Sequence, residues 1–97
     1  MLHELLTQRT YLADNGDDLD RQINSDFPYI AQQSRIVTLF GIDTASDEVV
    51  FTGYARIYPW SIDYYSTVNQ FDHAAMNGKE LFEEYPNGAL WIVTGEA

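Results

Sequence analysis

The side chains in this sequence with the most chemistry to offer are carboxylates, and they are unevenly spaced. Asp14, Asp17, Asp18 and Asp20 fall within seven residues with no base between them, and Asp26 follows. Asp43, Asp47 and Glu48 form a second group, and Glu80, Glu83 and Glu84 a third. Two carboxyls can work as general acid and base when a cleft holds them apart in different protonation states, but nothing in runs this dense singles out one pair. The stretch Asp14-Asn15-Gly16-Asp17-Asp18-Leu19-Asp20 looks superficially like a calcium loop, yet its glycine stands third where an EF-hand needs it sixth. His3 and His73 have no companion at ligand spacing, so no transition-metal site is expected. There is no cysteine, which excludes thiol catalysis and thiolate metal sites together. No serine stands in a nucleophile-elbow motif, and no glycine-rich loop is built to cradle a phosphate. The expectation is a chain without metal, cofactor or catalysis.

Binding is the better use of these charges. Fifteen Asp and Glu face five Lys and Arg, for a formal charge of −10. Such a body repels nucleic acid and anionic membrane and attracts cationic surfaces. Spread evenly over the roughly 5,700 Å² expected of a folded monomer of this mass, the carboxylates would stand about 19 Å apart and mimic nothing. Clustered on helices, residues three or four apart are separated axially by about 4.5–6 Å. That approaches the phosphate rise of about 3.4 Å per strand in duplex DNA. Stability does not select such runs, because like charges repel, and Glu83 and Glu84 fall where a helix C-terminus disfavours anions. Solubility needs only a net charge of magnitude about 2–8 in a small domain. Tyr54, Tyr58, Trp60, Tyr64 and Tyr65 are candidate aromatic anchors beside the acids, with core or second-layer packing expected instead for Trp60 and Tyr64.

The elements that must position these groups follow from hydrophobic spacing. Leu2, Leu5, Leu6, Arg9, Leu12 and Ala13 recur at three and four residues, which predicts an amphipathic helix over residues 2–13 that ends at Asn15-Gly16. Leu19, Ile23 and Phe27 predict a second helix starting near Asp17, where an aspartate both caps and suits the dipole. Residues 35–43 and 48–58 are rich in β-branched and aromatic residues around a Thr44-Ala45-Ser46-Asp47 turn, the pattern of a β-hairpin. In its second strand Val49, Phe51, Gly53, Ala55 and Ile57 should face the core, and Tyr54 and Tyr58 the outer side. Tyr64, Val68, Phe71, Ala75, Gly78, Phe82 and Tyr85 predict one long helix, with Asn77-Gly78 as a candidate break, and Pro86-Asn87-Gly88 turns the chain into a final strand over residues 89–94. The expected fold class is α+β, ordered α-α-β-β-α-β: a three-stranded antiparallel sheet of order 2-1-3 with two N-terminal helices and a long crossover helix, all in one domain spanning residues 1–97.

Size, charge, the absence of cysteine and the runs Asp14–Asp20 and Glu80–Glu84 together resemble the small acidic proteins that phages and other mobile elements direct against host defence. The likeness is to the DNA-mimicking anti-CRISPR inhibitors of type I-F surveillance complexes, and it lies in the whole chain rather than in a shared motif. It implies a phage protein; with no apolar stretch near the roughly 18 residues of a membrane span and no signal-peptide pattern, the expected location is the cytoplasm of a bacterial host, and a monomer is favoured. Such an inhibitor would occupy the basic groove on the Cas subunits that should receive target DNA. The alternative within the binding class is an immunity protein or antitoxin that plugs the basic active site of a nuclease toxin. A passive scaffold or virion component is a third possibility, and its mark would be a symmetric apolar interface.

Overall fold

A computed structural model describes residues 6–31, 35–67 and 74–96. Its elements are β1 (Leu6–Leu12), α1 (Gly16–Asp26), β2 (Arg35–Asp43), β3 (Glu48–Ile57), β4 (Ile62–Ser66), α2 (Gly78–Glu84) and β5 (Leu90–Glu96). The strands form one five-stranded sheet in the order β1-β5-β2-β3-β4, with every neighbouring pair antiparallel. This corrects the expected three-stranded sheet of order 2-1-3 flanked by two N-terminal helices and a long crossover helix. The expected trio corresponds to the central β5-β2-β3, and a strand is added on each side.

The first correction concerns the N-terminal segment. The part of residues 2–13 that is described is a strand, with Leu6 to Leu12 paired residue by residue against Glu96 to Leu90. Thr7, Thr10 and Tyr11 suit a pleated surface. The alternation places Tyr11 in the core and leaves Leu6 and Leu12 exposed. Pairing with a strand some 80 residues away outweighs the local helical stripe, because it satisfies a ladder of backbone groups on β5 that would otherwise be an open edge.

The second correction concerns the long helix. Ile62–Ser66 is an edge strand instead, joined to β3 by a tight turn in which the Tyr58 N–H donates to the Ser61 carbonyl at 2.9 Å. Val68, Phe71 and His73 lie outside the described residues, as do Leu2, His3 and Leu5. Helix returns only at Gly78, where Asn77 is its cap rather than a break: the Asn77 side chain accepts from the Glu80 N–H, and the Glu80 carboxylate accepts from the Asn77 N–H. Tyr64 and Met76 exchange two backbone hydrogen bonds, which covers part of the β4 edge.

Both helices pack on one face of the sheet. Leu19, Ile23 and Phe27, spaced four apart on and just after α1, are fully buried, as is Leu81 of α2. They meet Val37, Leu39, Phe51, Ala55, Tyr64, Trp91 and Val93 from the sheet. Trp91 sits at the centre, with ring centroids 5.8 Å from Phe51 and 5.5 Å from Phe82, over Gly41, where any side chain would collide with the indole. Each large side chain buried here contributes about 1.5–3 kcal/mol.

The opposite face carries no helix among the described residues. Three uncharged cross-strand rows lie on it, Gln8-Thr94-Thr38-Tyr54-Tyr65, Thr10-Ile92-Phe40-Thr52 and Leu12-Leu90-Ile42-Val49, and the pairs Leu6-Glu96 and Ile36-Arg56-Asp63 continue the same face with charged residues. Val49, expected in the core, joins this open face because the register slips between Gly41 and Ile42. The slip makes Val50 the extra residue of a bulge and reverses the alternation beyond it.

Candidate functional site

The carboxylates concentrate on the helical layer, and a single backbone contact brings their two main groups together. Asn15 caps α1 by accepting from the Asp18 N–H at 2.8 Å, which fixes Asp17 and Asp18 in the first turn, where the helix dipole favours anions. Asn77 does the same for α2. The two helix starts touch at Gly16 and Gly78. A Cβ on Gly16 would collide with the Gly78 carbonyl group, and one on Gly78 would press on Gly16 and the Asp20 carboxylate at 3.0 Å. Asp14, Asp17 and Glu83 thereby line one shallow cleft of about 350 Å³, together with Lys79 and Phe82. Glu83 also borders a second cleft of about 360 Å³ with Glu80 and Glu84.

These carboxylates do different jobs. Asp14 and Asp17 are exposed and have no hydrogen-bond or ion-pair partner among the described residues. Asp18 pairs with Arg21 and accepts from Gln22 at 3.2 Å. Glu83 lies 4.0 Å from Lys79, and Glu80 is occupied by the capping box. Asp20 is half-buried and accepts from the Tyr64 hydroxyl at 2.5 Å. Burial raises its pKa above the ordinary carboxylate value even though that hydrogen bond acts to lower it, and neighbouring Asp17 raises it further. Asp26 accepts from the Tyr11 hydroxyl at 2.6 Å and lies 3.8 Å from Arg9. Both phenols are held protonated, primarily by burial and then by the facing carboxylate. Asp20 and Asp26 therefore fasten α1 to β4 and β1.

The rest of the expected contact set lies elsewhere. Asp43, Asp47 and Glu48 form the β2–β3 turn at the end of the sheet where β5 begins. The Asp43 carboxylate accepts from the Ala45 N–H, and Asp47 adopts a left-handed φ of 57°. Tyr54 belongs to the outer side of β3, away from the helices, whereas Tyr58, just past the end of that strand, borders a hollow with Asp20 and Arg21 of α1. Tyr54 stacks on Tyr65 at 4.8 Å, and the neighbouring Tyr58 shifts the pKa of the exposed Arg56 guanidinium further upward. The Tyr54–Tyr65 stack and the acidic helices are thus not one patch, while Tyr58 and Trp60 approach α1. Tyr64 is buried as expected, but Trp60, expected to pack in the core or a second layer, is 91% exposed at the β3–β4 turn. It borders a hollow of about 200 Å³ with Asp20, Arg21 and Tyr58. Pro59 beside it was the available signal, since a Tyr-Pro-Trp-Ser run between two apolar alternations reads as a turn.

Among the described residues no three His, Asp or Glu are grouped to hold a metal, and no helix is long and apolar enough to cross a membrane. No family model, curated protein or solved structure matches the chain.

Proposed function

We propose that the protein is a binding module that presents its helical layer to a cationic protein surface, and that the surface is a groove built to hold a polynucleotide. The observation that carries this reading is the Gly16–Gly78 contact, which sets two acidic runs about 60 residues apart in sequence edge to edge. Arg21 and Lys79 neutralise part of that layer but leave Asp14, Asp17 and Glu84 unpaired among the described residues. Lysines and arginines poised for phosphates accept carboxylates, and long-range attraction speeds encounter. Exposed ion pairs contribute about 0–1 kcal/mol each, so affinity rests on the array as a whole. The DNA-binding groove of a CRISPR surveillance complex in the bacterial cytoplasm is the target suggested by the resemblance to acidic anti-defence proteins, and inhibition there is stoichiometric and competitive with target DNA.

The test is to incubate the protein with a purified type I-F surveillance complex and measure target-DNA binding, with a basic nuclease toxin in a parallel arm. Loss of DNA binding in the first arm is expected. Combined Asp14→Asn, Asp17→Asn, Glu83→Gln and Glu84→Gln should slow association at least about tenfold at low salt. Combined Asp43→Asn, Asp47→Asn and Glu48→Gln should change it far less. Equal association rates for the two variants would remove the helical layer from the mechanism, and inhibition confined to the toxin would replace the target with a nuclease.

A further inference from the structure

Of the two tryptophans, Trp91 is fully buried and Trp60 is left almost wholly in water. An aromatic ring of this class buries about 150–250 Å² when it packs, so one left exposed holds the largest apolar contact a single side chain can offer a partner. Trp60 is also held in place. It stands on the tight turn between β3 and β4, closed by the Tyr58 N–H on the Ser61 carbonyl and by the pairing of Ile57 with Ile62. With Tyr58 it flanks the hollow of about 200 Å³ whose other wall is α1, where Asp20 and Asn24 stand one turn apart. Asp20 accepts from the Tyr64 hydroxyl but has no basic side chain within 4.0 Å among the described residues. Burial works against its charge, and a cation beside it would restore that charge. Arg21 lies on the same rim, already paired with Asp18.

We infer that this hollow receives one arginine side chain of the cationic partner, with its guanidinium stacked on the Trp60 indole and facing Asp20. The inference rests on the proposed binding of the helical layer to a basic protein surface, and it names the contact that gives that binding an anchor. Size and chemistry select the guest. Small-molecule pockets run to about 300–1,000 Å³, so a hollow of about 200 Å³ suits a single side chain. A guanidinium is planar, permanently charged and weakly hydrated, and it stacks on aromatic faces, whereas an ammonium is a compact and strongly hydrated point charge. Tryptophan is the best of the aromatic rings for holding a cation over its face. Exposed carboxylates alone supply encounter and little affinity, and an aromatic seat at their edge supplies what they lack.

Fluorescence of the full chain tests the seat without the natural partner. Trp91 is fully buried, so acrylamide quenching reads Trp60. Hexa-arginine at low salt should shield Trp60 from acrylamide. Hexa-lysine should bind at least about threefold more weakly, and hexa-citrulline, similar in shape but uncharged, should give no shielding. Trp60→Ala removes an exposed side chain and leaves the core intact, and it should lower hexa-arginine affinity at least about tenfold by calorimetry. Asp20→Asn, which keeps an acceptor for Tyr64, should lower it about threefold or more. Absence of hexa-arginine binding, binding that leaves Trp60 fully quenchable, unchanged affinity in Trp60→Ala, or equal shielding by hexa-lysine or hexa-citrulline each overturns the arginine seat. Inhibition of the surveillance complex or the toxin that is equal for wild type and Trp60→Ala also overturns it, while leaving the acidic layer as the binding surface. Shielding by hexa-arginine with neither target inhibited does the reverse: the seat stands and the proposed targets fall.

Discussion

At the scale of single residues, two tyrosine–carboxylate pairs do the most specific work. The Tyr64 hydroxyl reaches Asp20, and the Tyr11 hydroxyl reaches Asp26, so each joins a strand of the sheet to α1. Tyr64→Phe leaves Asp20 half-buried with its donor gone, and the expected loss is about 1–3 kcal/mol in urea unfolding. The same substitution should alter the alkaline limb of stability. Native Tyr64 keeps its proton well above the ordinary phenol value of 10.0, so the native state binds a proton the unfolded chain has lost. Stability is therefore intact below about pH 10 and falls as pH rises beyond it, and Tyr64→Phe should flatten that fall. Asp20 has the same sign in the acid range. Its native pKa is raised from 3.8 mainly by burial, so stability declines as pH rises from 3.8 through the raised value, and Asp20→Asn should remove that slope. A pH titration of the unfolding midpoint checks both outcomes.

At the scale of elements, helix starts matter more than helix lengths. α1 and α2 span 11 and 7 residues, and α2 is too short to be stable alone, so its capping box and its packing hold it together. Asn77→Ala should destabilise by about 1 kcal/mol. Gly16→Ala should be worse, by about 1–3 kcal/mol, because the atoms it meets belong to the Gly78 backbone and cannot swing aside. The two variants differ in a second readout. Gly16→Ala pushes the helices apart and should weaken binding to a cationic partner beyond what its stability loss explains, while Asn77→Ala should leave the affinity of the folded fraction unchanged. Thermal melts paired with binding at a temperature where both are folded separate the two effects.

At the scale of the whole molecule, charge is segregated. Acidic residues collect on the helical layer and the β2–β3 turn, and the middle of the open sheet face has none. Self-repulsion at −10 destabilises the compact state, so adding salt from low ionic strength to about 0.15 M, where the Debye length is about 8 Å, should raise the melting temperature. The association rate with a basic partner should fall over the same range. Near the isoelectric pH of about 4.2 the repulsion vanishes, and solubility should pass through its minimum there.

The sequence by itself determined the elements whose signals are local. The four-residue spacing of Leu19, Ile23 and Phe27 marked α1, the β-branched runs around Thr44–Asp47 marked the β2–β3 hairpin, and the Pro86-Asn87-Gly88 turn marked the approach to β5. It also determined the charge and the three acidic groups. Only the tertiary structure decided that Leu6–Leu12 and Ile62–Ser66 are strands, that Val49 turns outward and Trp60 lies exposed, and which carboxylates stay open while Asp20 and Asp26 accept tyrosine hydroxyls. The reason is physical: spacing at three and four residues is shared by helices and by segments whose buried residues come from two different elements. What breaks that tie is a backbone ladder with a partner distant in sequence, and no local pattern records who the partner is.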